Sequence, residues 1–412
     1  MSTEFTEWKE YFIYQVGKVV TGYTPSKHNL DCKGNIPFIS PSDINGNKNI
    51  KSSARSISEL ALHKNREIPK NSVLVTCIGS IGKVSITNKR SATNQQINSI
   101  ICNDGFYHEY IYYSVLNISN YLVKISNITT LPIINKTDFE NLKLTLPNFS
   151  DQKKISKILS SVDLMIELIE QKIEKLEILK KGIMFDLLTK GIGHTNFKDS
   201  PILSIPEEWS IKRLKDISIK LIDGDRGHHY PSQEELKKNG HCLFLNATNV
   251  TKSGFNFKNF EYISKVKDSL LSKGKIRLND IVITTRGTVG NIAFYSNKIG
   301  LKNMRINSGM VIIRSDDKEL INEFLYHSLQ SFYFEFNYKK FASGSAQPQL
   351  PIKDLENFMV PIPQMSEQLK IIKIANKISN KILLANVLLD KYQNLKKALM
   401  QDLLMGKSGI KF

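Results

Sequence analysis

The chain has 412 residues, of which 41% are hydrophobic and 23% charged, an ordinary composition for a globular protein of two or three domains. It has no apolar run long enough to span a membrane and no charged-then-apolar leader, so we expect a cytoplasmic protein with no membrane partner. Its four cysteines lie far apart, without the spacing of a zinc site or of a disulfide framework, which argues against both.

The net charge of +18 indicates a polyanionic partner, either nucleic acid or an acidic surface. The excess is shared between the two halves, because residues 1–149 carry a net charge of +5 and residues 191–365 carry +6. No segment is a tail of like charges, so we expect the basic side chains to lie on folded surfaces.

Residues 1–149 have the pattern of a mixed α/β domain. Trp8 opens the first ordered stretch, and a glycine-containing loop (21–26) follows it. The elements expected next are a short strand that runs into a polar loop (37–44), a hairpin around Gly79 and Gly82 (72–87), a strand (97–102), an amphipathic helix (107–125) and a closing strand (142–146).

Residues 150–188 predict one long helix without proline. Its apolar residues recur in steps of three and four that average near 3.5, the period of a coiled-coil seam. At 1.5 Å per residue the helix would be about 58 Å long. The expected seam positions are Ile155, Leu159, Val162, Ile166, Ile169, Ile173, Leu176, Leu179, Ile183 and Leu187.

Residues 189–365 repeat the order of the first domain. Trp209 opens the stretch, and a loop with Asp223 and Gly224 follows. The remaining elements are a strand and polar loop (243–250), a hairpin around Gly287 and Gly290 (280–296), a strand (310–313), an amphipathic helix (321–338) and a closing strand (358–362).

Residues 366–404 repeat residues 150–188 at a constant offset of 216 without a gap. Every seam position is again apolar or aromatic, including Ile371, Ile378, Ile382, Leu389 and Leu395. A narrow seam on a long polar helix needs a partner helix to bury it, and the nearest candidate is the other copy. The predicted fold is α+β: two similar mixed α/β domains joined and separated by two long antiparallel helices that form a coiled coil, with pseudo-two-fold symmetry.

The duplicated arrangement resembles the specificity subunit of type I restriction-modification systems over nearly the whole chain. The residues that carry the resemblance are Gln152 and Gln368 at the helix starts, Asp186 to Gly191 at the end of the first helix, and the pairs Leu131-Pro132 and Leu350-Pro351 before the closing strands. The resemblance divides the chain into a first target recognition domain (1–149), a spacer helix (150–188), a linker with a second target recognition domain (189–365), a second spacer helix (366–404) and a tail (405–412) that closes a quasi-circular arrangement.

The same resemblance implies the partners. Each target recognition domain would read one half of a bipartite site in double-stranded DNA, and the helices would hold two modification (methyltransferase) subunits. Restriction subunits with translocase and endonuclease activity would complete the complex. S-adenosylmethionine would be bound by the modification subunits, and ATP and magnesium by the translocase, so we expect this chain to bind no cofactor.

Motifs for catalysis are absent from the sequence. It contains no Pro-Pro pair, which the adenine methyltransferase motif over a flipped base requires, and its glycine turns are too short for a phosphate-binding Walker loop. Metal ligands cluster at Asp223, Asp225, His228 and His229, but no further acidic residue follows at a fixed spacing. A polar surface loop is the favoured interpretation, and we expect a non-catalytic chain.

Side chains suited to DNA recur at matching places in the two domains. Arginine suits guanine, asparagine and glutamine suit adenine, and serine, threonine and lysine suit phosphates. The candidates in the first domain are Thr24, Ser26, Lys27, Ser40, Ser42, Ser80, Lys83, Asn94, Gln95 and Gln96. Those in the second domain are Arg226, His228, Asn246, Thr248, Arg286, Thr288, Asn291, Arg305, Asn307 and Gln347. For any one of them a solvated side chain or a local hydrogen bond is the alternative.

Two other functions fit parts of the pattern. One is a DNA-modifying enzyme with a divergent site, which would turn over a methyl donor or DNA without other subunits. The other is a coiled-coil adaptor whose basic surface binds DNA without sequence preference. Binding competition separates the adaptor from a specific reader, which should prefer its own site by roughly 10³ or more.

Overall fold

The structure, a computed structural model, describes residues 8–25, 34–126, 132–341 and 349–404. The chain divides into two compact units: unit 1 comprises Met1–Lys172 and Ala385–Phe412, and unit 2 comprises Ile173–Leu384. Both units combine helices with strands, so the mixed α/β content predicted for each half is confirmed.

The elements of unit 1 follow the predicted order. They are β1 (Lys9–Phe12), α1 (Ile13–Val16), β2 (Gly17–Thr21), β3 (Ile36–Ile39), β4 (Arg55–Ile57), β5 (Val73–Thr76), β6 (Val84–Ile86), β7 (Ala92–Thr93), β8 (Ile97–Cys102), α2 (His108–Asn117), α3 (Ser119–Ile125), α4 (Lys136–Glu140), β9 (Lys143–Leu146) and the start of α5 (Phe149–Thr189).

Three sheets organise unit 1. Four strands pair in the order β2-β8-β5-β6, three pair in the order β4-β3-β7, and β1 pairs with the closing strand β9. The sequence of β5 is Val-Leu-Val-Thr, a short apolar run without alternating polar residues, which is typical of a strand buried on both faces. All four residues are buried in the structure. The antiparallel pairing of β5 with β6 confirms the predicted hairpin.

The elements of unit 2 are as follows: β10 (Phe197–Lys198), β11 (Ile205–Pro206), β12 (Ser210–Arg213), β13 (Ile219–Asp223), β14 (Cys242–Leu245), β15 (Val250–Thr251), β16 (Gly254–Phe255), β17 (Glu261–Ile263), α6 (Lys265–Leu270), β18 (Ile281–Thr284), β19 (Ile292–Phe294), β20 (Met304–Ile306), β21 (Met310–Ser315), α7 (Asn322–Leu329), α8 (Phe332–Phe341), α9 (Ile352–Leu355), β22 (Met359–Ile362) and α10 (Met365–Leu404).

Unit 2 has the same sheet plan as unit 1. Its larger sheets have the orders β13-β21-β18-β19 and β17-β14-β20, and β12 pairs with the closing strand β22; β10 with β11 and β15 with β16 form additional two-stranded sheets. In both units the second sheet contains a parallel pair, β3 with β7 in unit 1 and β14 with β20 in unit 2. The repeat predicted from the sequence therefore extends to strand order and strand direction.

The single amphipathic helix predicted in each domain is wrong in detail, because each region forms two short helices. The first breaks at Ile118 and the second at Gln330, where φ and ψ near −90° and 0° leave the helical region. Ser331 accepts a hydrogen bond from the amide of Tyr333 at 3.2 Å, which provides a start for the second helix.

The Leu-Pro pairs before the closing strands are not equivalent in the structure. The amide of Ile134 donates to the carbonyl of Cys77 at 2.9 Å, and the amide of Leu350 donates to the carbonyl of Thr285 at 3.0 Å. Ile134 therefore occupies the place of Leu350, and Leu131 lies outside the described residues.

The two long helices contain 41 and 40 residues and agree with the predicted ranges to within one residue at each end. Most expected seam positions are turned away from solvent. Ile155, Leu159, Val162, Ile169, Ile371 and Ile378 are buried, and Ile166, Ile173, Leu176, Ile382 and Leu389 are half-buried.

The predicted seam position of Leu395 is corrected, because its side chain is 45% exposed. The side chain of its equivalent, Leu179, is 52% exposed. The seam residues before Leu179 are Ile173 and Leu176, so two steps of three residues follow each other, and the same spacing leads to Leu395. Two successive steps of three rotate a side chain about 120° behind the seam at 3.6 residues per turn. Lys180 and Lys396, one position later, are half-buried and take these seam positions.

Within unit 1 the two long helices touch at a polar position. Lys396 Nζ lies 2.6 Å from Asp163 Oδ1, and the Tyr113 hydroxyl donates to the same carboxylate at 2.6 Å. Leu403, late in α10, shares an apolar cluster with Leu159, early in α5. The two helix segments therefore run in opposite directions inside unit 1.

His327 occupies in unit 2 the place that Tyr113 has in unit 1. The pKa of His327 is lowered to about 3, mainly by burial and to a lesser extent by the charge of Lys180. A hydrogen bond with Asn376 acts in the opposite direction and raises the pKa, but it is the smaller effect. Its Nε2 atom has no hydrogen-bond partner among the described residues. The ring is therefore neutral in the folded unit.

Glu367 joins the end of α5 to the start of α10 within unit 2. Its carboxylate accepts hydrogen bonds from the amide of Ile192 (2.8 Å) and from Trp209 Nε1 (2.9 Å), and His194 Nε2 lies 3.0 Å away. The expected closure by residues 405–412 lies outside the described residues. In the part of the chain that the structure describes, no helix has the length and apolar character of a membrane span.

Candidate nucleic-acid interface

Four loops of unit 1 meet at one end of its two larger sheets. Residues 22–25 follow β2, residues 40–43 follow β3, residues 77–83 join β5 to β6, and residues 94–96 precede β8. The strand register brings them together, because Asn98 pairs with Thr21, and Ile97 pairs with Thr76. We call these four loops loop edge 1.

Unit 2 has the same arrangement. Loop edge 2 consists of residues 224–230 after β13, residues 246–249 after β14, residues 285–291 between β18 and β19, and residues 307–309 before β21. Asp223 pairs with Val311 and Thr284 pairs with Met310, so the loops again begin at one end of the sheet.

Close backbone contact holds two loops together in each edge. A Cβ atom on Gly22 would overlap the carbonyl of Asn94, and one on Gly224 would overlap the carbonyl of Asn307. Only glycine fits such an approach. The glycine-containing loops seen in the sequence are therefore needed to pack the first loop of each edge against the last.

Asn94 and Asn307 are equivalent in the two edges. Their amides donate to the carbonyls of Ile39 (2.8 Å) and Leu245 (2.9 Å). Each side-chain oxygen then accepts a hydrogen bond from the amide two residues later, Gln96 at 2.8 Å and Gly309 at 3.0 Å. Both side chains shape their own turn, which leaves the amide nitrogen as the group with which a base could pair.

Loop edge 1 presents mainly uncharged polar side chains. Thr24 hydrogen-bonds to the amide oxygen of Gln95, which joins the first and last loops. The candidates that are exposed are Thr24, Ser42, Ser80, Lys83 and Gln95, and those that are half-buried are Asn94 and Gln96. Ser26 and Lys27 lie outside the described residues.

Ser40 has little surface available for the predicted DNA contact, because it is buried in its turn, and that contact stays a prediction. Its hydroxyl donates to Asp43 Oδ2 at 2.7 Å and lies 2.9 Å from the hydroxyl of Ser42. The Ser40 amide donates to the same carboxylate at 2.8 Å, so the residue caps the loop.

Loop edge 2 presents more basic side chains. Arg226, His228, Thr248, Arg286 and Thr288 are exposed, and Asn246, Asn291 and Asn307 are half-buried. Arg226 forms an ion pair with Asp223 at 2.9 Å and donates to the carbonyl of Ser308 at 3.3 Å. Arg286 pairs through its backbone with Gln349. Gln347 lies outside the described residues.

Two asparagines of loop edge 2 have local partners. Asn246 Oδ1 accepts hydrogen bonds from the amide (2.9 Å) and the hydroxyl (2.6 Å) of Thr248. Asn291 Nδ2 donates to the carbonyl of Val250 at 2.9 Å. Both side chains thus hold loop geometry, and their part in DNA contact stays a prediction.

Arg305 has little surface available for the predicted base contact, because the residue is only 7% exposed, and that contact stays a prediction. Its Nε donates to Asp268 Oδ1 at 2.6 Å, and its terminal nitrogens donate to three backbone carbonyls of residues 268–273. Burial raises the pKa of Asp268, but hydrogen bonds from Lys275 and Arg305 outweigh it and hold that pKa below its usual range. The equivalent residue in unit 1 is Ala92, which sequence comparison could not reveal.

The loop with Asp225 is a backbone-binding turn. Asp225 accepts hydrogen bonds from the amides of Gly227 (3.0 Å) and Ser272 (2.8 Å). The Gly227 bond is the largest cause that lowers the pKa of Asp225 to about 2. Among the described residues no group of three histidine, cysteine or acidic side chains is close enough to hold a metal ion.

One basic residue at loop edge 1 was missed in the sequence. Arg66 is exposed and donates to the carbonyl of Gly22 at 2.9 Å, with its guanidinium 6.0 Å from the ring of Tyr23. Arg66 lies in a connection without a strand pattern or a glycine turn. The sequence around it therefore does not indicate that its side chain lies beside loop edge 1.

The comparison with protein families matches both halves of the chain. The family described as type I restriction modification DNA specificity domain matches residues 6–178 and residues 206–391. The chain belongs to this family. The two matches correspond to the two repeated halves.

Related proteins carry the same description. The chain is 30% identical over 361 residues to the type I restriction enzyme MjaVIII specificity subunit of Methanocaldococcus jannaschii, covering 84% of this chain and 82% of that protein. It is 28% identical over 429 residues to the MjaIX specificity subunit of the same organism, covering 97% and 93%.

A solved structure supports the fold. The S subunit of a type I restriction-modification system from M. genitalium matches with a TM-score of 0.62 and 16% identity, over 98% of this chain and 97% of that chain. The chain therefore shares the fold of that subunit, and its membership of the family rests on the sequence matches.

Proposed function

We propose that each unit of this type I specificity subunit reads one half of a bipartite site in double-stranded DNA through its loop edge. The observation that carries this proposal is the recurrence of the four-loop edge with different side chains in the two units. The side-chain oxygens of Asn94 and Asn307 accept matching hydrogen bonds from the amides of Gln96 and Gly309, which gives both edges the same scaffold. Different side chains on one scaffold are what two different half-sites require.

The side chains give the two edges different chemistry. Loop edge 1 presents amides and hydroxyls, with Gln95 and Lys83 both exposed, which suits adenine-containing steps and phosphate contact. Loop edge 2 presents Arg226 and Arg286, which suit guanine. Thr24, Ser42, Ser80, Thr248 and Thr288 are proposed phosphate contacts.

The long helices are proposed to form an antiparallel coiled coil with pseudo-two-fold symmetry. The opposite direction of the two helix segments in unit 1 and the burial of most seam positions support this arrangement. Half-sites about one DNA turn apart are about 34 to 36 Å apart. Helices of about 58 Å can span that distance, so their length would fix the number of unread base pairs.

The helices are also proposed to dock two modification subunits. Exposed apolar side chains on the helix segments of each unit support this. In unit 1 they are Leu164, Leu168, Val387 and Leu388, and in unit 2 they are Ile178, Leu179, Leu383 and Leu384. Apolar side chains left exposed in a row are typical of a surface that another protein covers.

The proposed complex methylates adenine on each DNA strand, and with restriction subunits it cleaves DNA. In it S-adenosylmethionine belongs to the modification subunits, and ATP and magnesium to the restriction subunits. This chain contributes recognition alone and acts in the cytoplasm, where the host DNA lies. The proposed parts are the recognition domains 1–149 and 189–365, the spacer helices 150–188 and 366–404, and the tail 405–412.

Competition binding tests the proposal. The full chain with its modification subunits should prefer one bipartite duplex over random DNA by roughly 10³ or more. Equal binding to all duplexes would instead support a non-specific adaptor. Methyl transfer by the purified chain alone, with labelled S-adenosylmethionine and DNA, would support a divergent enzyme and contradict the proposal.

A further inference from the structure

Two side chains of unit 2 hold one short backbone segment, residues 268–273, from two sides. Arg305 donates to the carbonyls of Asp268 (2.8 Å), Leu271 (2.8 Å) and Lys273 (2.5 Å). Asp225 accepts from the amides of Ser272 (2.8 Å) and Lys273 (3.3 Å). We call residues 268–273 the splint segment.

Both of these side chains belong to the framework of loop edge 2. Asp225 lies in loop 224–230, where it also accepts from the amide of Gly227 at 3.0 Å. Arg305 lies in β20, two residues before Asn307 and loop 307–309. The splint segment is therefore bonded to one recognition loop, through Asp225, and to the strand that leads into another, through Arg305.

We propose that Arg305 and Asp225, acting through the splint segment, position loops 224–230 and 307–309 for the second half-site. Arg305 is then a positioning residue and not a reader of bases. The proposal rests on the proposed function of loop edge 2. It goes beyond that function by assigning loop geometry to two side chains that bind the protein's own backbone.

The charge arrangement around Arg305 suits a fixed scaffold. Asp268 receives Arg305 Nε at 2.6 Å and Lys275 Nζ at 2.6 Å, so a nearly buried carboxylate is matched by two cations. Buried charges are tolerated only when they are paired and hydrogen-bonded, which restricts this cluster to one geometry. Loops held in one geometry before binding lose less conformational entropy when DNA binds.

The described residues of unit 1 have an alanine where unit 2 has Arg305. Arg305 pairs with Phe244 in β14, and Ala92 pairs with Phe38 at the same place in unit 1. Alanine has no side chain that could reach three carbonyls. A change at Arg305 should therefore affect the second half-site and leave the first unchanged.

Hydrogen exchange on the full chain tests the positioning role directly. Arg305→Met should accelerate exchange of the Gly227 amide by about 10-fold or more, although that amide bonds to Asp225 and not to Arg305. Arg314→Met is the matched control, because Arg314 holds Asp280 through Nε (2.8 Å) and a terminal nitrogen (2.7 Å) in the same unit. The control should change Gly227 exchange by less than about 2-fold.

An unchanged Gly227 rate in Arg305→Met, or an equal acceleration in Arg314→Met, would overturn the proposal. If Arg305→Met does not fold, the exchange rate of the Gly227 amide is measured in Arg305→Lys instead. Lysine keeps a positive charge beside Asp268, but its donors all lie on one nitrogen and cannot reach Asp268 and the three carbonyls as the three nitrogens of a guanidinium do. The Arg305→Lys variant should still accelerate exchange of the Gly227 amide several-fold. A wild-type exchange rate would contradict the positioning role of Arg305.

DNA binding supplies the second measurement. In complex with the modification subunits, Arg305→Met should weaken binding by about 10-fold when the second half-site is present and keep the same base preferences. A changed base preference would show that Arg305 reads a base and would overturn the positioning role. If the wild-type complex showed no sequence preference, the proposed function would fail, while the exchange rates would still decide the splint.

Discussion

The side chain of Gln368 accepts a hydrogen bond from the amide of Ile321 at 2.9 Å. Its amide nitrogen donates to the carbonyls of Glu319 (2.7 Å) and Pro363 (2.8 Å). Gln152 makes the matching bond to the amide of Tyr107 at 2.8 Å in unit 1. Each glutamine thus joins the start of a long helix to the start of a helix in the adjoining recognition domain.

Replacing Gln368 with leucine should lower the free energy of unfolding of unit 2 by about 1 to 3 kcal/mol, because buried backbone groups would lose their partners. The matched control is Gln364→Leu, an exposed glutamine one turn earlier. Chemical denaturation of both variants measures the difference. Equal effects from both substitutions would show that the buried bonds contribute nothing.

Removing the charge of Lys396 should destabilise unit 1. Lys396→Met leaves the Asp163 carboxylate with the Tyr113 hydroxyl but without its cation, at a cost of about 1 to 3 kcal/mol. Lys397→Met, at an exposed neighbouring position, is the control and should change stability by less than about 0.5 kcal/mol. A double-mutant cycle with Asp163→Asn would show no coupling if the pair were not formed.

The stability of unit 2 should fall in acid because of His327. In the unfolded chain this histidine takes up a proton near its ordinary pKa of 6.5, whereas in the folded unit it does so only at about 3. The unfolded state binds more protons between those values. The contribution of His327 to stability is therefore complete above about pH 6.5 and declines by up to about 1.4 kcal/mol per pH unit below it.

His327→Phe should remove this part of the pH dependence. Denaturation between pH 3 and pH 7 measures it as a difference from the wild-type chain, so that other titrating groups cancel. The exposed His63, replaced in the same way, is the control. A pH profile of His327→Phe that runs parallel to that of the wild type would contradict the burial of a neutral ring.

Arg286 is the strongest candidate for reading a base in the second half-site. Arg286→Ala should relax specificity at one base position of that half-site, at a cost of about 1 to 3 kcal/mol. Arg277, also exposed but before β18 at the other end of the strand, is the matched control. Equal weakening on every sequence would assign Arg286 to phosphate contact.

The helices should set the spacing of the half-sites. Deleting residues 166–172 together with the equivalent 382–388 removes seven residues from each helix and keeps the alternation of seam positions. Each helix becomes about 10 Å shorter, or about three base pairs. Because the deletion also removes proposed docking side chains such as Leu168 and Leu388, the test is binding of the chain alone to duplexes with graded spacers, which should show a shorter optimum and unchanged half-sites. Altered half-sites with an unchanged spacer would argue against a spacing role.

The sequence was sufficient for the features that depend on local pattern. Helix bounds followed from the apolar period, and the hairpins followed from Gly79, Gly82, Gly287 and Gly290 between buried strands. Asn94 and Asn307 proved equivalent because both stand just before a predicted strand. Short-range chemistry decides each of these features, so one sequence contains the information.

Features that depend on distant partners were not predictable. Arg305 is buried because Asp268 and the carbonyls around it lie nearby in space, and no local signal separates it from an exposed arginine such as Arg286. Leu395 was assigned to the seam because it is apolar, whereas Lys396 lies there because Asp163 faces it. In both cases a charged side chain is removed from solvent because a carboxylate distant in sequence pairs with it, Asp268 with Arg305 and Asp163 with Lys396.

Sequencing of methylated adenines in host DNA, with and without the gene for this chain, tests the central claim most directly. We predict one bipartite motif, with two different half-sites and a fixed unread spacer, that is methylated only when the gene is present. A continuous motif, or a methylation pattern that does not change when the gene is removed, would contradict the account.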